Sequence, residues 1–399
     1  MSSHETRGSR RSLLGTAAAL TRGPAELLDF VIPLWAGLVL GLDATSIGLL
    51  VAVELAVSCL ARPLAGRMAD RGDRRRVAAV GALVSGLGAA GYALATSASS
   101  GFAFLAAIVG GLGGSLLWVA LRAIVSEEHV SRPSAFAGLL AAEEAGAAVA
   151  FVVGLSALGA IGYSALFLLA GASCVMGAVV LASLPPDAAG RARQPGPARA
   201  AARRIAPMLV AVVGSMAAEA GIGILLLIHL QKHFGLGVVE TAWVFLPGAI
   251  ALAVLPRPLH LVVVRIGRRR ALLAAGVLSA AFAAGLALAS SPLMIAILWV
   301  SSAVAWAVVV PVEQEAVAES VDGSTFGTAM GAYEAAALAG GAIGTALAGV
   351  AYEAGSWQLA CVSFAIVALL GACAGPLALR AMGVADRPAP RGPEPGERP

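Results

Sequence analysis

The chain has 399 residues, 59% of them hydrophobic and 13% charged. Ordinary globular chains carry about 25% charged residues, so a mean hydropathy of +0.87 excludes a soluble domain and makes lipid part of the solvent. The net charge of +4 does not mark a nucleic-acid surface, because all but Lys232 of the 27 basic residues are arginines and most of these cluster in alternate loops.

A membrane-spanning helix needs about 20 apolar residues and a short connection. Apolar runs bounded by glycine, proline or charge predict helices at 13–41, 46–66, 76–97, 101–126, 134–158 and 161–184, then at 206–231, 240–264, 270–289, 292–317, 324–351 and 357–380. The runs are continuous, which excludes the alternating strands of a β-barrel. The expected architecture is an all-α membrane protein with twelve transmembrane helices in two six-helix bundles, 13–184 and 207–380. Residues 185–206 are proline-broken and arginine-rich and read as a linker, while 1–12 and 381–399 read as polar tails, the second disordered. Arginines gather near 7–11, 67–76, 191–204, 265–270 and 380–398, whereas the intervening loops carry none. By the positive-inside rule the clustered side, with both termini and the linker, is cytoplasmic. The four cysteines fall inside apolar runs and give neither a disulfide framework nor a metal spacing.

The two halves echo each other. Ser134-Ala135-Phe136-Ala137-Gly138 returns as Ser324-Thr325-Phe326-Gly327-Thr328, and Arg62-Pro63-Leu64 returns as Arg257-Pro258-Leu259. A parallel repeat of six-helix units is implied. After the second helix, Gly66-Arg67-Met68-Ala69-Asp70-Arg71-Gly72-Asp73-Arg74-Arg75-Arg76 resembles the signature loop of the major facilitator superfamily, usually written G-x-L-A-D-r-x-G-r-r/k. Met68 stands where Leu is usual, and Gly72-Asp73 shifts the expected glycine by one place. The second copy, ending Val264-Arg265-Ile266-Gly267-Arg268-Arg269-Arg270, has Val264 in place of the acid. The resemblance in layout covers almost the whole chain and implies a bacterial twelve-helix secondary transporter. It also implies that Asp70 latches the two halves together on the cytoplasmic side, with Gly66, Arg71, Arg74 and Arg75 in the same gating element.

Charges inside the apolar runs are the second signal, because each costs about 2.5–3.5 kcal/mol at the centre of a bilayer. Arg22, Glu26 and Asp29 are spaced four and three apart and share one helix face, which cannot look at lipid. Glu219 opens the second half much as Glu26 opens the first, and Glu144 and Glu334 stand at matching places in the repeated stretch. These six residues are the candidate substrate- and proton-binding groups. Glu54 and Glu143 are further acids within helices, and Arg122 is expected to pair with Glu127, Glu128 or Asp70. Glu313, Glu315 and Glu319 are expected at a solvated helix end, while Trp118 and Trp306 occupy comparable places as an aromatic pair.

Clustered carboxylates in low dielectric cannot all ionise, so they suit proton coupling and attract organic cations. The expected function is proton-coupled efflux of a small cationic or amphipathic compound by a monomer in the bacterial cytoplasmic membrane, with the proton gradient as driving force and no cofactor or metal. Proton symport or facilitated uptake of a nutrient, and a transport-inactive sensor, are the alternatives. The fourth helix lacks an early arginine and the fifth, around Ala145-Gly146-Ala147-Ala148, lacks a proline, so the usual antiporter motifs are absent. No Walker loop, HExxH or GxSxG motif points to an enzyme.

Overall fold

A computed structural model describes residues 3–42, 44–131, 134–184, 198–354 and 356–387. Those residues are almost wholly helical, with no strand among them. In chain order the helices are α1 (Ser3–Leu38), α2 (Ala44–Arg71), α3 (Arg74–Gly91), α4 (Gly101–Ser131), α5 (Ala135–Ser183), α6 (Ala198–Lys232), α7 (Val238–Val254), α8 (Pro256–Ile266), α9 (Arg268–Leu286), α10 (Pro292–Glu319), α11 (Phe326–Ala354) and α12 (Trp357–Ala381). Among the described residues eight helices are long and apolar enough to cross a bilayer, nine if the bent pair α7 and α8 forms one span. Exposed Leu60, Val210, Leu288 and Leu293 are among the apolar side chains left for lipid to cover.

Local chemistry sets the boundaries. Asp73 caps α3 by accepting from the Arg75 N–H at 3.0 Å, and Ser291 and Ser356 cap α10 and α12 in the same manner. As a straight rod, the 49 residues of α5 would far exceed the bilayer thickness. Gly162 interrupts it with φ 75° and ψ 170°, a backbone that glycine adopts without a Cβ penalty, and the two arms match the expected fifth and sixth helices. The expected eighth helix is instead two, bent by 59° at Pro256, whose ring removes the N–H that would continue the ladder.

Three expected boundaries differ. Residues 3–12 of the expected tail are already helical in α1, and 198–206 of the expected linker form the start of α6. The rest of the linker, 185–197, lies outside the described residues, as do 388–399. Residues 382–387 of the expected disordered tail are packed: Met382 and Val384 are buried, and the Asp386 carbonyl accepts from the Arg268 N–H at 2.7 Å.

Within the first half α1 packs on α5 and α3 on α4; within the second, α6 packs on α11 and α9 on α12. The halves meet chiefly through α2 against α11 and α5 against α7. On the arginine-bearing side one core runs through both halves, from Leu121 and Phe136 to Met330 and Tyr333. Towards the opposite side the cores are separate, one around Trp35 and Phe167 in the first half and one around Phe282 and Phe364 in the second. The core shared by both halves therefore lies at the arginine-bearing ends, while α5 and α7 also approach each other around Phe151 and Trp243.

Candidate functional site

The outermost layer is the signature loop. Asp70 is buried and accepts from the Gly327 N–H at 2.6 Å, the Thr328 N–H at 2.7 Å and the Thr328 hydroxyl at 2.5 Å. These donors open α11, where free N–H groups and the helix dipole favour an anion. Close backbone approach makes the contact possible: a Cβ on Gly66 would sit 2.6 Å from the Gly327 carbonyl oxygen. Arg74, fully buried, donates to the carbonyls of Ala69 at 3.2 Å, Ala123 at 3.1 Å and, in the other half, Gly323 at 2.7 Å. It also pairs with Glu127 at 2.8 Å. Arg75 instead ties the loop to the end of α5 through the Leu184 carbonyl at 2.5 Å, and Arg71 is exposed. Of the expected gating residues, Gly66, Asp70 and Arg74 therefore bridge the halves, while Arg75 and Arg71 do not.

The second copy of the loop keeps the buried arginine and replaces the acid. Arg268 pairs with Glu319 at 2.6 Å and Glu315 at 3.1 Å, the counterpart of Arg74 with Glu127. With Val264 where the acid would be, Asp386 from the C-terminal segment accepts from the Arg269 N–H at 2.8 Å. Gly267, at φ 91°, makes the turn.

Two helical turns inward, about 12 Å along α2 from Asp70, lies a buried ionic layer drawn from four helices. Glu334 on α11 pairs with Arg62 on α2 and with Arg122 on α4, the latter at 2.6 Å. Arg122 also faces Glu143 on α5 at 3.4 Å. This corrects the expected pairing of Arg122 with Glu127, Glu128 or Asp70. Arg62 and Glu143 were not singled out as site residues. The signal for Arg62 was its place in the repeated Arg-Pro-Leu, one turn before Gly66.

The next layer belongs to the first half and is more open. Arg22 pairs with Glu26, each about one-third exposed, and the Arg22 guanidinium lies 5.4 Å from the centre of the Trp118 ring. Glu144 is within the field of Glu26 and Arg22. Asp29 is exposed, and Glu54 on α2 accepts from the Tyr92 hydroxyl at 3.3 Å. Of Arg22, Glu26 and Asp29, the first two form an ion pair.

In the second half a small pocket opens between α6, α9, α10 and α12, lined by Glu219, Glu313 and Trp306 among others. Glu219 accepts from the Ser302 hydroxyl at 3.3 Å. Glu313, expected at a solvated end, is 2% exposed and accepts from Ser215 at 3.1 Å and Tyr333 at 3.4 Å. Burial of the last turns of α10 is the reason, and Glu315 beside it is fully buried against Arg268. Trp118 and Trp306 do not share a cavity wall in the way their matching positions suggested: one stacks under Arg22, the other lines the pocket of the second half. The matching positions of Glu144 and Glu334 diverge too, since only Glu334 reaches the other half's arginines.

No curated protein matches the sequence. Among solved structures the chain is similar to the human organic anion transporter MFSD10 (TETRAN), with TM-score 0.77, 17% identity, and 92% of this chain and 99% of that one covered. It is similar to the proton:xylose symporter XylE bound to 6-bromo-6-deoxy-D-glucose, with TM-score 0.70, 16% identity and 96% of each chain covered. The nucleoside transporter NupG gives TM-score 0.63 at 15% identity over 94% of this chain and 99% of that one. At these identities the likeness shows the fold. The sequence profile of the Major Facilitator Superfamily matches residues 14–259 and 208–399. This multi-pass helical membrane protein, with its loop-to-helix contact and its buried inter-half ion layer, belongs to the major facilitator superfamily and is a transporter, not an enzyme.

Proposed function

We propose that this transporter is proton-coupled and exports a small cationic or amphipathic organic compound by alternating access, as a monomer in a bacterial cytoplasmic membrane with both termini inside. Counting α1 and α11 as spans, dividing α5 at Gly162 and taking α7 with α8 as one gives the twelve crossings of this reading. The observation that carries the reading is the place of Glu334, a carboxylate of one half held by Arg62 and Arg122 of the other. Contact between the halves then depends on charge, so a proton or charged ligand arriving at this level biases the balance between two packed states.

Support for a cationic substrate comes from the first half. Glu26, Asp29, Glu54 and Glu144 outnumber Arg22 around the open layer, and Trp118 offers an aromatic face there. The proton gradient supplies the energy and no cofactor is required. Arg62 and Arg122 favour a second reading, an organic anion that competes with Glu334 for the two guanidiniums, and the likeness to an organic anion transporter is consistent with it.

The test is reconstitution of the purified protein into liposomes enclosing a pH dye, with organic cations, organic anions and sugars screened for substrate-triggered proton flux. Proton movement opposite to a cation, lost in Glu26→Gln or Asp29→Asn, supports export by antiport. Co-directional flux moves the reading to uptake by symport, an anion-triggered signal to the second reading, and silence across the panel to a sensor.

A further inference from the structure

Most buried carboxylates of this chain face an arginine: Glu334 and Glu143 face Arg122, and Glu315 faces Arg268. Around Glu334 and Glu143 the partners are guanidinium donors, so a bound proton has no acceptor among them. Glu313 is built differently. Its Oε1 lies 3.1 Å from the Ser215 hydroxyl and its Oε2 lies 3.4 Å from the Tyr333 hydroxyl. The Ser215 oxygen is also 3.1 Å from the Val212 carbonyl oxygen.

A serine hydroxyl has one proton and two lone pairs, and here it has two acceptors within reach. When Glu313 is ionised, Ser215 donates to it. When Glu313 carries a proton, it donates to the Ser215 oxygen, whose own proton turns to the Val212 carbonyl. Both protonation states are fully hydrogen-bonded with the heavy atoms in place.

The groups packed around Glu313 leave it without a fixed counter-charge. Glu219, on α6, is the other ionisable group lining the same cavity among the described residues. Leu272 and Gly276 from α9 and Ala372 and Gly375 from α12 complete much of the wall. From α11 the facing group is Tyr333, while Glu334, one residue on, turns to Arg62 and Arg122. The cavity, with Ser279, Glu219 and the Trp306 ring on its surface, has room and polar partners for the water that brings a proton to Glu313.

We propose that Glu313 is the carboxylate that binds and releases the coupled proton, at a site inside the second half and apart from the substrate layer between Arg22 and Glu334; this rests on the proton-coupled reading above. A proton passes from cavity water to Glu313 Oε1 and the Ser215 hydroxyl rotates, with no covalent bond other than O–H made or broken. The same step weakens the charge-assisted bond from Tyr333. Tyr333 precedes Glu334 on α11, the helix whose first N–H groups Asp70 holds. Protonation therefore loosens α10 from the helix that carries the Asp70 and Glu334 contacts between the halves.

The experiment is an infrared pH titration of the full-length protein in lipid, following the C=O band of protonated carboxyl groups, with no substrate needed. Glu313→Gln should remove one titrating band, and Ser215→Ala and Tyr333→Phe, which keep the carboxylate, should each move the midpoint of that band by about one pH unit. Glu219→Gln should leave it. A Glu313→Gln spectrum that retains every titrating band overturns the proposal; should that variant not fold, unmoved midpoints in both hydroxyl variants overturn it equally. A band lost in Glu313→Gln together with no proton flux in the liposome assay would instead overturn the proton-coupled reading while keeping the site.

Discussion

Arg122 and Glu334 face each other at 2.6 Å across the boundary between the two halves, both nearly buried, two helical turns from the loop where Asp70 accepts the first N–H groups of α11. The halves are thus held at two levels by different chemistry, an ion layer inside and an anion on a helix N-terminus outside. Each level can be broken on its own.

Glu334→Gln should shift the protein toward the form open on the arginine-bearing side. Breaking a buried pair from one side costs about 3–5 kcal/mol, because the partner charges stay buried, and here Arg122 would keep Glu143 while Arg62 would lose the carboxylate it faces. Spin-label distances between the ends of α2 and α11 should lengthen in most of the population. An unchanged distance distribution would show that the ion layer does not hold the halves together.

Asp70→Asn should act on the outer level alone. The carboxylate serves two backbone amides and a hydroxyl, and loss of its charge at the helix terminus should weaken the closed form by about 1–2 kcal/mol. A cysteine introduced at Ser324 should then react roughly tenfold faster with a membrane-impermeant maleimide, while binding of a substrate found in the liposome screen stays near wild type. A large loss of affinity would place Asp70 beside the substrate.

Gly66→Val tests the close approach of α2 and α11. With the Gly327 carbonyl oxygen 2.6 Å from even a bare Cβ on Gly66, and a Cβ on Gly327 likewise only 2.5 Å from the Gly66 carbonyl oxygen, the backbones must separate. Overpacking of this kind costs about 1–3 kcal/mol. Transport should fall strongly and the α2–α11 distance should rise, whereas the same substitution at Gly101, where a Cβ meets nothing within 4 Å, should be tolerated.

Arg268→Ala should lower thermal stability more than Asp386→Ala. The first leaves Glu315 fully buried and without its guanidinium, a loss of about 3–5 kcal/mol. The second removes an acceptor for the Arg269 N–H at the start of α9, worth about 1 kcal/mol. Melting in detergent, followed by intrinsic fluorescence, orders the two. The reverse order would show that the C-terminal segment, not the buried arginine, anchors α9.

Neutralising Glu26 or Asp29 should weaken transport of a cationic substrate without unfolding the protein, since both sit in the open layer of the first half. Unchanged transport in both variants would leave the Arg22–Glu26 pair a structural one.

Helices, repeat and charged side were legible from the sequence because each is a one-dimensional property. A run of apolar residues must satisfy its backbone within itself in lipid, and arginines sort by loop. The loop that touches α11 was legible too, since Gly66 and Asp70 stand in a recognisable motif. The breaks at Gly162 and Pro256 followed from local backbone chemistry, though their effect on helix boundaries did not.

Which charge meets which was decided only by the tertiary structure. Glu144 and Glu334 hold equivalent places in the repeat, yet one faces Glu26 and Arg22 within its own half and the other crosses to Arg62 and Arg122. Glu313, at what reads as a helix end, is enclosed by Ser215 and Tyr333, and Asp386 arrives from a tail to stand in for the acid missing at Val264. Sequence spacing fixes the height and angle of a side chain on its own helix, but a buried carboxylate is defined by its partners. Those come from helices brought alongside by packing, through rotations and crossings that the linear pattern does not encode.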